Sequence, residues 1–392
     1  MDLNFSDAHE AFRREVVGFL AAHAHEAPRA GTGDAKAWQR LLIAHGYAAR
    51  NIPKEYGGFG AEPDILKSRI IAEEFARAQV STGLGGQGIS MLVPTLLEMG
   101  SEEQKQQFIA PTLRGELVWC QGYSEPDAGS DLASLRTKGV LDGDDWVVSG
   151  QKIWTSTAHL ADWIFCLVRT EPDAPKHEGI SFLLFSMKTP GIEIRPLIDM
   201  TGVANFNEVF FTDVRVPMHQ IVGRRGEGWK VANAILRHER GSLADPNEML
   251  SRLNALTDVM KTETVDGRRA IDDPVFRDRL MQIHGRVLAM RCNDLRLLSA
   301  AVNRTPASLA GMVVKLQGTE LRHELEALAI DVMGEFGLLY IGSPQLRGAG
   351  SWQRSYMFFL GLIIGGGTSQ IQKNIIAERG LGLPREPKPA SV

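Results

Sequence analysis

One carboxylate within an apolar helical stripe has the clearest potential for chemistry in this sequence. In the stretch 228–244, Glu239 follows Leu236 by three residues and Ile235 by four, so the three share one face of a predicted helix. Apolar surroundings raise the pKa of a carboxylate, which suits a general base that works near neutral pH. The alternative is a structural glutamate at the rim of the stripe, paired with a distant arginine or lysine. His238 falls on the opposite, solvent-facing side and is not the predicted base.

A polar loop and a glycine-rich turn are two further stretches that could bind a ligand. The loop 121–131 offers hydroxyl groups and backbone N–H donors, although such a loop could equally be solvated without a ligand. The turn 365–370 places three glycines and Thr368 before a predicted helix, so its free N–H groups suit a phosphate or another anion. The alternative for these glycines is a close helix contact. No P-loop lysine accompanies them, so nucleotide hydrolysis is not indicated.

Composition and charge exclude several classes of protein. The chain has 392 residues, 44% of them hydrophobic and 23% charged, with a net charge of −4, which argues against a dedicated nucleic-acid binder and against a disordered chain. Its three cysteines are scattered without metal-ligand spacing, so we expect no metal site and a reducing compartment. No secretory signal is visible, and the apolar stretch 356–367 is too short to span a bilayer. We therefore expect a cytoplasmic protein.

The hydrophobic periodicity divides the chain into three parts, for which we expect an α+β multidomain fold. Residues 1–117 follow a helical pattern, 118–226 form short β-branched and aromatic segments, and 227–392 are helical again. The middle part is typical of a compact β barrel or sandwich, in which Ser149-Gly150-Gln151 would be a hairpin turn. Helices and strands do not alternate, so a Rossmann sheet is not indicated. The long C-terminal helices predict a bundle.

Five segments, taken in their order along the chain, resemble the acyl-CoA dehydrogenase family. They are GYSEPDAGSD (122–131), GQKIWTS (150–156), NEVFFTDVRVP (207–217), GWKVA (228–232) and GGTSQIQKNIIAERGLGLP (366–384). The resemblance covers nearly the whole chain. It implies an N-terminal α-helical domain, a β domain and a C-terminal four-helix bundle that bind FAD non-covalently. It also implies α,β-dehydrogenation of an acyl-CoA thioester to a trans-2-enoyl-CoA, as in the β-oxidation of fatty acids or sterols.

The resemblance assigns residues of three segments to FAD. In the first segment, Ser130 is expected near the FAD phosphates or the acyl-CoA, and the pyrimidine side of the flavin is expected against Tyr123 and Ser124. In the second segment, three consecutive residues are expected beside the flavin ring, the last of them near N5: Trp154, Thr155 and Ser156. In the last of the five segments, Thr368 and Gln370 are expected to contact the dinucleotide portion. The flavin would accept the hydride, while the protein supplies position and electrostatics.

One departure from the family pattern concerns the catalytic base. Many members carry the catalytic glutamate immediately before the Gly-Thr of the last motif, where this chain has Gly366. A smaller set, resembling isovaleryl-CoA and long-chain acyl-CoA dehydrogenases, has it after GWKVA, directly before an arginine. Glu239 and Arg240 match that pattern, which implies a base at Glu239 and Arg240 in the substrate site. The Gly366 N–H and a ribityl hydroxyl would then polarise the thioester carbonyl. The alternative is a subunit that has lost its base.

A second departure concerns the assembly. Family homotetramers usually carry an Arg-x-x-Phe-Gly segment that reaches a neighbour's FAD, but residues 264–277 lack it and residues 333–337 echo the later glycine motif only loosely. This resembles the larger subunit of bacterial heteromeric acyl-CoA dehydrogenases that act on bulky or steroid side-chain thioesters. A heterotetramer with a second such chain and a homotetramer both stay open. The resemblance implies an electron-transfer flavoprotein or another acceptor. A flavin monooxygenase or oxidase on the same fold and a non-catalytic subunit are the alternative functions.

Overall fold

The computed structural model describes most of the chain, namely residues 5–29, 32–242, 245–306 and 308–385, without the side chains at 239–242 and 308. The chain divides into two compact units, Met1–Glu239 and Arg240–Val392. The boundaries that we predict after residues 117 and 226 both fall inside the first unit and stay predictions. In the parts of the chain that the structure describes, no helix combines the length and apolar character needed to cross a membrane.

The first unit begins with helices, most of which have N-terminal ends capped by polar side chains. The helices are α1 (Asp7–His23), α2 (Ala35–Ala44), α3 (Ile65–Ala78), α4 (Val93–Met99) and α5 (Glu102–Leu113). Asp34 and Asp64 accept hydrogen bonds from backbone N–H groups of α2 and α3, and Ser101 forms a capping box with Gln104 at α5. These caps satisfy N–H groups that a helix start leaves without an intrahelical partner.

Seven strands of the described part of the first unit form one sheet. The strands are β1 (Trp119–Gly122), β2 (Lys138–Asp142), β3 (Asp145–Lys152), β4 (Trp163–Arg169), β5 (Ile180–Ser186), β6 (Ile192–Leu197) and β7 (Phe206–Pro217). Their order is β1-β4-β2-β3-β7-β6, with β5 also paired to β4. Strand β4 is parallel to β1 and to β2, and the other pairs are antiparallel.

The sheet curls, so that its two faces pack on different cores. Phe165 and Leu167 of β4 belong to a core shared with the N-terminal helices, whereas Cys166, between them, belongs to a core formed by the strands. Phe185 of β5 and Phe211 of β7 have ring centroids 5.5 Å apart, although other strands separate β5 from β7 in the sheet. A flat sheet could not bring these rings together. The predicted barrel or sandwich is therefore one curved sheet, buried on both faces at β4.

The predicted hairpin turn at Ser149-Gly150-Gln151 is wrong. Strand β3 runs through these residues, and its hairpin partner is β2, which pairs Lys138 with Ser149. The pairing of β3 with β7 shifts between Val148 and Gly150, which marks a β-bulge. Gly150 has φ of 152°, and a Cβ there would lie 2.7 Å from Cα of Thr137. A glycine is therefore required at position 150 because the backbone of Thr137 packs closely against it, and not because the chain turns there.

The second unit is a bundle of long helices. Its elements are α7 (Pro246–Thr262), β8 (Thr264–Val265), β9 (Arg268–Arg269), α8 (Pro274–Val302), α9 (Ser308–Met312), α10 (Val314–Met333), α11 (Ser351–Ile364) and α12 (Ser369–Ile375). Helix α6 (Gly228–Ser242) precedes them and starts in the first unit. One apolar core joins α7, α8, α10 and α11 through residues such as Leu256, Val287, Leu328 and Trp352. Helical, β and helical-bundle parts follow each other as the predicted fold class requires.

Candidate functional site

The apolar stripe of α6 packs into the core of the first unit. Ala232 and Ile235 are fully buried there, and Trp229 and Leu236 pack against the same core from partly buried positions. The helical periodicity that we used to select this face is therefore confirmed by its packing. Residues 239 and 240 continue α6, but their side chains lie outside the described part of the chain. The roles of Glu239 and Arg240 stay predictions, and so does the alternative of a structural ion pair.

His238 is only partly exposed, whereas we predicted a solvent-facing side chain. It is half-buried, and its Nε2 atom lies 3.4 Å from Oε1 of Glu98, which belongs to α4. The neighbouring Arg237 donates to Oε2 of the same carboxylate over 2.9 Å. The prediction failed because a helix from the N-terminal part of the chain covers this side of α6. Periodicity along α6 alone gives no information about that neighbour.

The polar loop after β1 is anchored at its beginning and exposed towards its end. Tyr123 is buried, and the carbonyl of the half-buried Ser124 accepts a hydrogen bond from the N–H of Ile153 over 2.9 Å. Glu125 and Ala128 exchange two backbone hydrogen bonds of 3.1 and 3.0 Å, which close a tight turn. Ser130 lies on the exposed part. The loop is thus ordered by packing and hydrogen bonding at Tyr123 and Ser124, and it is not a freely solvated connection there.

A buried ion pair lies beneath this loop and was not predicted from the sequence. Nζ of Lys152 is 2.8 Å from Oε1 of Glu125 and also donates to the carbonyl of Tyr123 over 3.0 Å. The Glu125 carboxylate accepts two more hydrogen bonds, from the N–H groups of Arg136 and Thr137. Burial raises the pKa of Glu125, but Lys152 and these hydrogen bonds outweigh it and hold the pKa below its ordinary value.

The segment 154–156 leaves β3 in an unusual conformation. Trp154 has φ of 59°, in the left-handed region, and its side chain is 59% exposed. Thr155 is fully buried, and its N–H and carbonyl both bond to Asn207, through the Asn207 carbonyl and the Nδ2 amide, over 3.0 and 2.9 Å. Ser156 is half-buried. The buried amide of Asn207, which the sequence motif contained without an assigned role, therefore holds the residue between Trp154 and Ser156.

These residues suit the FAD that the sequence implies. The hydroxyl of Thr155 is buried and has no hydrogen-bond partner among the described residues. A buried hydroxyl without a hydrogen bond costs free energy, and the polar atoms at the edge of a flavin ring could form that hydrogen bond. Trp154 offers an exposed indole, whose closest aromatic neighbour is Phe206 at 6.0 Å and 83°. A flat aromatic ligand can pack on an exposed indole face.

The glycine-rich turn of the second unit has the conformation that its glycines allow. Gly366 and Gly367 have φ of 64° and 90°, and the Thr368 hydroxyl caps α12 by accepting from the N–H of Ile371 over 3.2 Å. Lys315 of α10 is buried and donates to the carbonyl of Gly367 over 2.7 Å. The N-cap prediction for Thr368 is confirmed, while Gln370 is exposed.

The structure brings part of the predicted site together. Within the first unit, the hydrogen bond between Ser124 and Ile153 joins the loop of Tyr123 and Ser124 to the strand that leads to the segment 154–156. Gly366, Thr368 and Gln370 lie together in the second unit. Sequence reasoning missed Lys152, Glu125 and Asn207. One signal in the sequence could have indicated the ion pair. A lysine and a glutamate each lie in a motif that is otherwise apolar or turn-rich, and charged residues that are buried in such surroundings are usually paired.

Comparison with protein families assigns almost all of the chain. Residues 6–116 match the model of the N-terminal domain of acyl-CoA dehydrogenases, residues 120–214 that of the middle domain and residues 226–381 that of the C-terminal domain. The acyl-CoA dehydrogenase IpdE1 of Mycobacterium tuberculosis is 39% identical over 394 residues, covering 97% of this chain and 99% of that protein.

Two solved structures share the fold over nearly their whole length. The ChsE4-ChsE5 complex from Mycobacterium tuberculosis contains a chain that is 33% identical, with a TM-score of 0.80 and coverage of 98% of this chain and 100% of the other. The Tcur3481-Tcur3483 steroid acyl-CoA dehydrogenase contains a chain that is 29% identical, with a TM-score of 0.81 and the same coverage. Each of these two complexes is named for two different chains.

Proposed function

This chain belongs to the acyl-CoA dehydrogenase family, and from that premise we propose that it is a FAD-dependent enzyme that desaturates an acyl-CoA thioester between its α and β carbons. The product would be a trans-2-enoyl-CoA. The observation that carries the FAD proposal is the segment 154–156, where an exposed indole lies beside a buried hydroxyl that has no hydrogen-bond partner in the part of the chain that the structure describes. That segment belongs to a motif that resembles the family's flavin-binding region.

The resemblance implies which residues would hold the cofactor. The flavin ring would be bound by Tyr123, Ser124, Trp154, Thr155 and Ser156. The dinucleotide portion would be contacted by Thr368 and Gln370. We place Ser130 near the FAD phosphates or the acyl-CoA, and its exposure leaves it accessible to either. When bound, FAD supplies the acceptor for the hydride that leaves the β carbon.

The chain itself would handle the proton and the thioester. Glu239, on the helix whose apolar face is buried, would remove the α proton, since burial near such a face raises a carboxylate pKa towards neutrality. The N–H of Gly366 would donate to the thioester carbonyl and stabilise the charge that develops there. Arg240 would lie in the substrate site. A missing side chain at Gly366 and a glutamate at position 239 fit this division of roles.

The variant Glu239→Gln tests the mechanism. We expect it to keep FAD, seen in the visible absorption spectrum, and to lose roughly 10²–10⁴-fold in anaerobic flavin reduction by an acyl-CoA, because a general base typically contributes that factor. The control is Arg237→Ala, on the same helix, which removes only an ion pair with Glu98 at the surface. Full activity of Glu239→Gln would remove Glu239 from the role. A wild-type protein that never binds FAD, alone or with partners, would contradict the function itself.

The substrate class that we propose is a bulky acyl-CoA, branched or carrying a steroid ring system. The support comes from relatives: one structural relative is named a steroid acyl-CoA dehydrogenase, and IpdE1 and both two-chain relatives match this chain over almost its full length. A screen of thioesters from short and branched to steroid side-chain acyl groups would test it. The preferred substrate would give the fastest anaerobic bleaching of the flavin. We further propose an electron-transfer flavoprotein, or another acceptor, as the oxidant.

A further inference from the structure

The ion pair between Lys152 and Glu125 is buried far more deeply than charges usually are. The side chain of Lys152 is 0% exposed and that of Glu125 is 8% exposed. A buried ion pair contributes little net stability, because removing two charges from water offsets most of their attraction. A pair of this kind therefore calls for an explanation other than stability. Its position between two motifs of the proposed FAD site supplies one.

The pair joins three separate stretches of backbone. The ammonium of Lys152 bonds to the carbonyl of Tyr123 and to the carboxylate of Glu125, and that carboxylate bonds to the N–H groups of Arg136 and Thr137. Lys152 itself is the last residue of β3, two residues before Trp154. The contacts thus connect the loop after β1, the stretch before β2 and the strand that ends at the segment 154–156.

We infer that Lys152 is a positioning residue, which fixes the backbone of Tyr123 and Glu125 against the end of β3 and so sets the wall of the FAD site. This inference rests on the proposed function. Lys152 acts through the Tyr123 carbonyl rather than by touching the cofactor. The lowered pKa of Glu125 agrees with a carboxylate that stays charged beside this ammonium.

The geometry separates the positioning role from simple stabilisation. The substitution Lys152→Met leaves a buried carboxylate without its counter-ion, which destabilises the fold, and it also removes the donor to the Tyr123 carbonyl. Adding Glu125→Gln removes the uncompensated charge, and its single amide oxygen can still accept from one of the two N–H groups, Arg136 or Thr137, which bond to different oxygens of the carboxylate. The double variant therefore regains part of the lost stability, but the Tyr123 carbonyl still lacks the Lys152 donor.

The experiment compares the wild type, Lys152→Met and the double variant Lys152→Met/Glu125→Gln as full-length apoproteins. Thermal unfolding gives stability, and FAD fluorescence quenching gives affinity at a temperature where every variant is folded. The matched control is Val148→Ala, which removes buried apolar volume from the same strand away from the loop. If the wild type needs a second chain to retain FAD, every variant is measured with that chain.

We expect both Lys152→Met proteins to bind FAD about tenfold or more weakly, the factor expected when one charge-assisted hydrogen bond that holds a site is lost. The double variant should recover part of the melting temperature without recovering FAD affinity, and its bound flavin should keep an altered visible spectrum. Val148→Ala should lose stability and keep wild-type affinity. The inference is overturned if affinity recovers together with stability in the double variant, or if Lys152→Met binds FAD as the wild type does. Failure of the wild type to bind FAD would instead contradict the proposed function.

Discussion

Trp154 shows how a single residue can be held in a costly conformation at the proposed site. A non-glycine residue in the left-handed region costs roughly 1–2 kcal/mol. The two hydrogen bonds between Thr155 and Asn207 fix the next residue and so keep Trp154 in this conformation. Because its side chain is 59% exposed, the indole recovers little of the cost by burial in this chain. Strain of this kind concentrates at functional sites, where the surroundings maintain it.

The variant Trp154→Gly should therefore separate stability from cofactor binding. We expect the free energy of unfolding of the apoprotein to stay within about 1 kcal/mol of the wild type, because relief of the left-handed strain offsets the greater freedom of unfolded glycine. FAD affinity should fall, since the exposed indole is lost. Urea denaturation and FAD titration measure the two effects. Arg304→Gly, at another exposed residue with positive φ, is the control and should leave FAD binding unchanged. A large loss of apoprotein stability in Trp154→Gly would contradict the argument.

At the residue scale, the sequence led to the right segments but not to the contacts within them. Thr155 and Ser156 entered through the family resemblance. The partners that hold the segments are distant along the chain: Lys152 and Glu125 are 27 residues apart, and Asn207 and Thr155 are 52 apart. Periodicity compares neighbours within a few residues, so it gives no access to such pairs. A buried lysine in β3 could have been suspected only if its strand had been assigned correctly.

At the scale of elements, hydrophobic periodicity predicted the buried face correctly where the residues of a single element decide which face is buried. The stripe on α6 is buried as its periodicity predicts. The pattern failed at Ser149-Gly150-Gln151, where turn-forming residue types lie in a continuous strand. There the deciding factor is a non-local one, the close approach of Thr137 to Gly150. His238 failed for the same reason, since α4 covers it.

The helices of the second unit provide a test at this scale. Glu326 of α10 is fully buried and accepts hydrogen bonds from Arg252 of α7, from Arg322 and from Ser355 of α11. We expect Glu326→Ala to lower the free energy of unfolding by about 3–5 kcal/mol, because it leaves the largely buried Arg252 without its counter-ion and Arg322 with only Glu248. Denaturant unfolding measures the change.

The control for this test lies on the same helix. Glu324, two residues earlier, pairs with Arg286 at the exposed surface, so Glu324→Ala should change stability by no more than about 1 kcal/mol. Equal effects of the two substitutions would show that the buried network contributes no more than a surface pair. The sequence alone does not distinguish the two glutamates, because each lies four residues or fewer from a basic residue of the same helix.

At the scale of the whole molecule, composition and the order of segments were enough for the fold class. A helical part, a β part and a second helical part follow from hydrophobic period alone, and the three family models match the chain in that order. The proposed FAD residues, however, are far apart along the chain, as Trp154 and Thr368 show. No local pattern predicts that segments more than 200 residues apart serve one cofactor, and only the resemblance joined them.

The assembly is the prediction that belongs to this scale. Residues 264–277, which form the short hairpin β8–β9 and the start of α8, lack the Arg-x-x-Phe-Gly segment that family homotetramers extend to a neighbour's FAD. Two structural relatives are each named for two different chains. We therefore expect this chain alone to purify with much less than one FAD per polypeptide. Co-expression with a second acyl-CoA dehydrogenase-like chain should give a heterotetramer that retains the cofactor.

Light scattering after size exclusion gives the mass, and the ratio of flavin to protein absorbance gives the FAD content. The two measurements together are decisive because each assembly predicts a different pair of values. A missing contact to the dinucleotide should lower FAD retention in any assembly of identical chains, whatever its mass. A homotetramer of this chain with one FAD per polypeptide would show that other residues replace the missing segment. A heteromer is supported only if adding the second chain changes mass and FAD content together, since a shift in mass alone would leave cofactor binding independent of the partner.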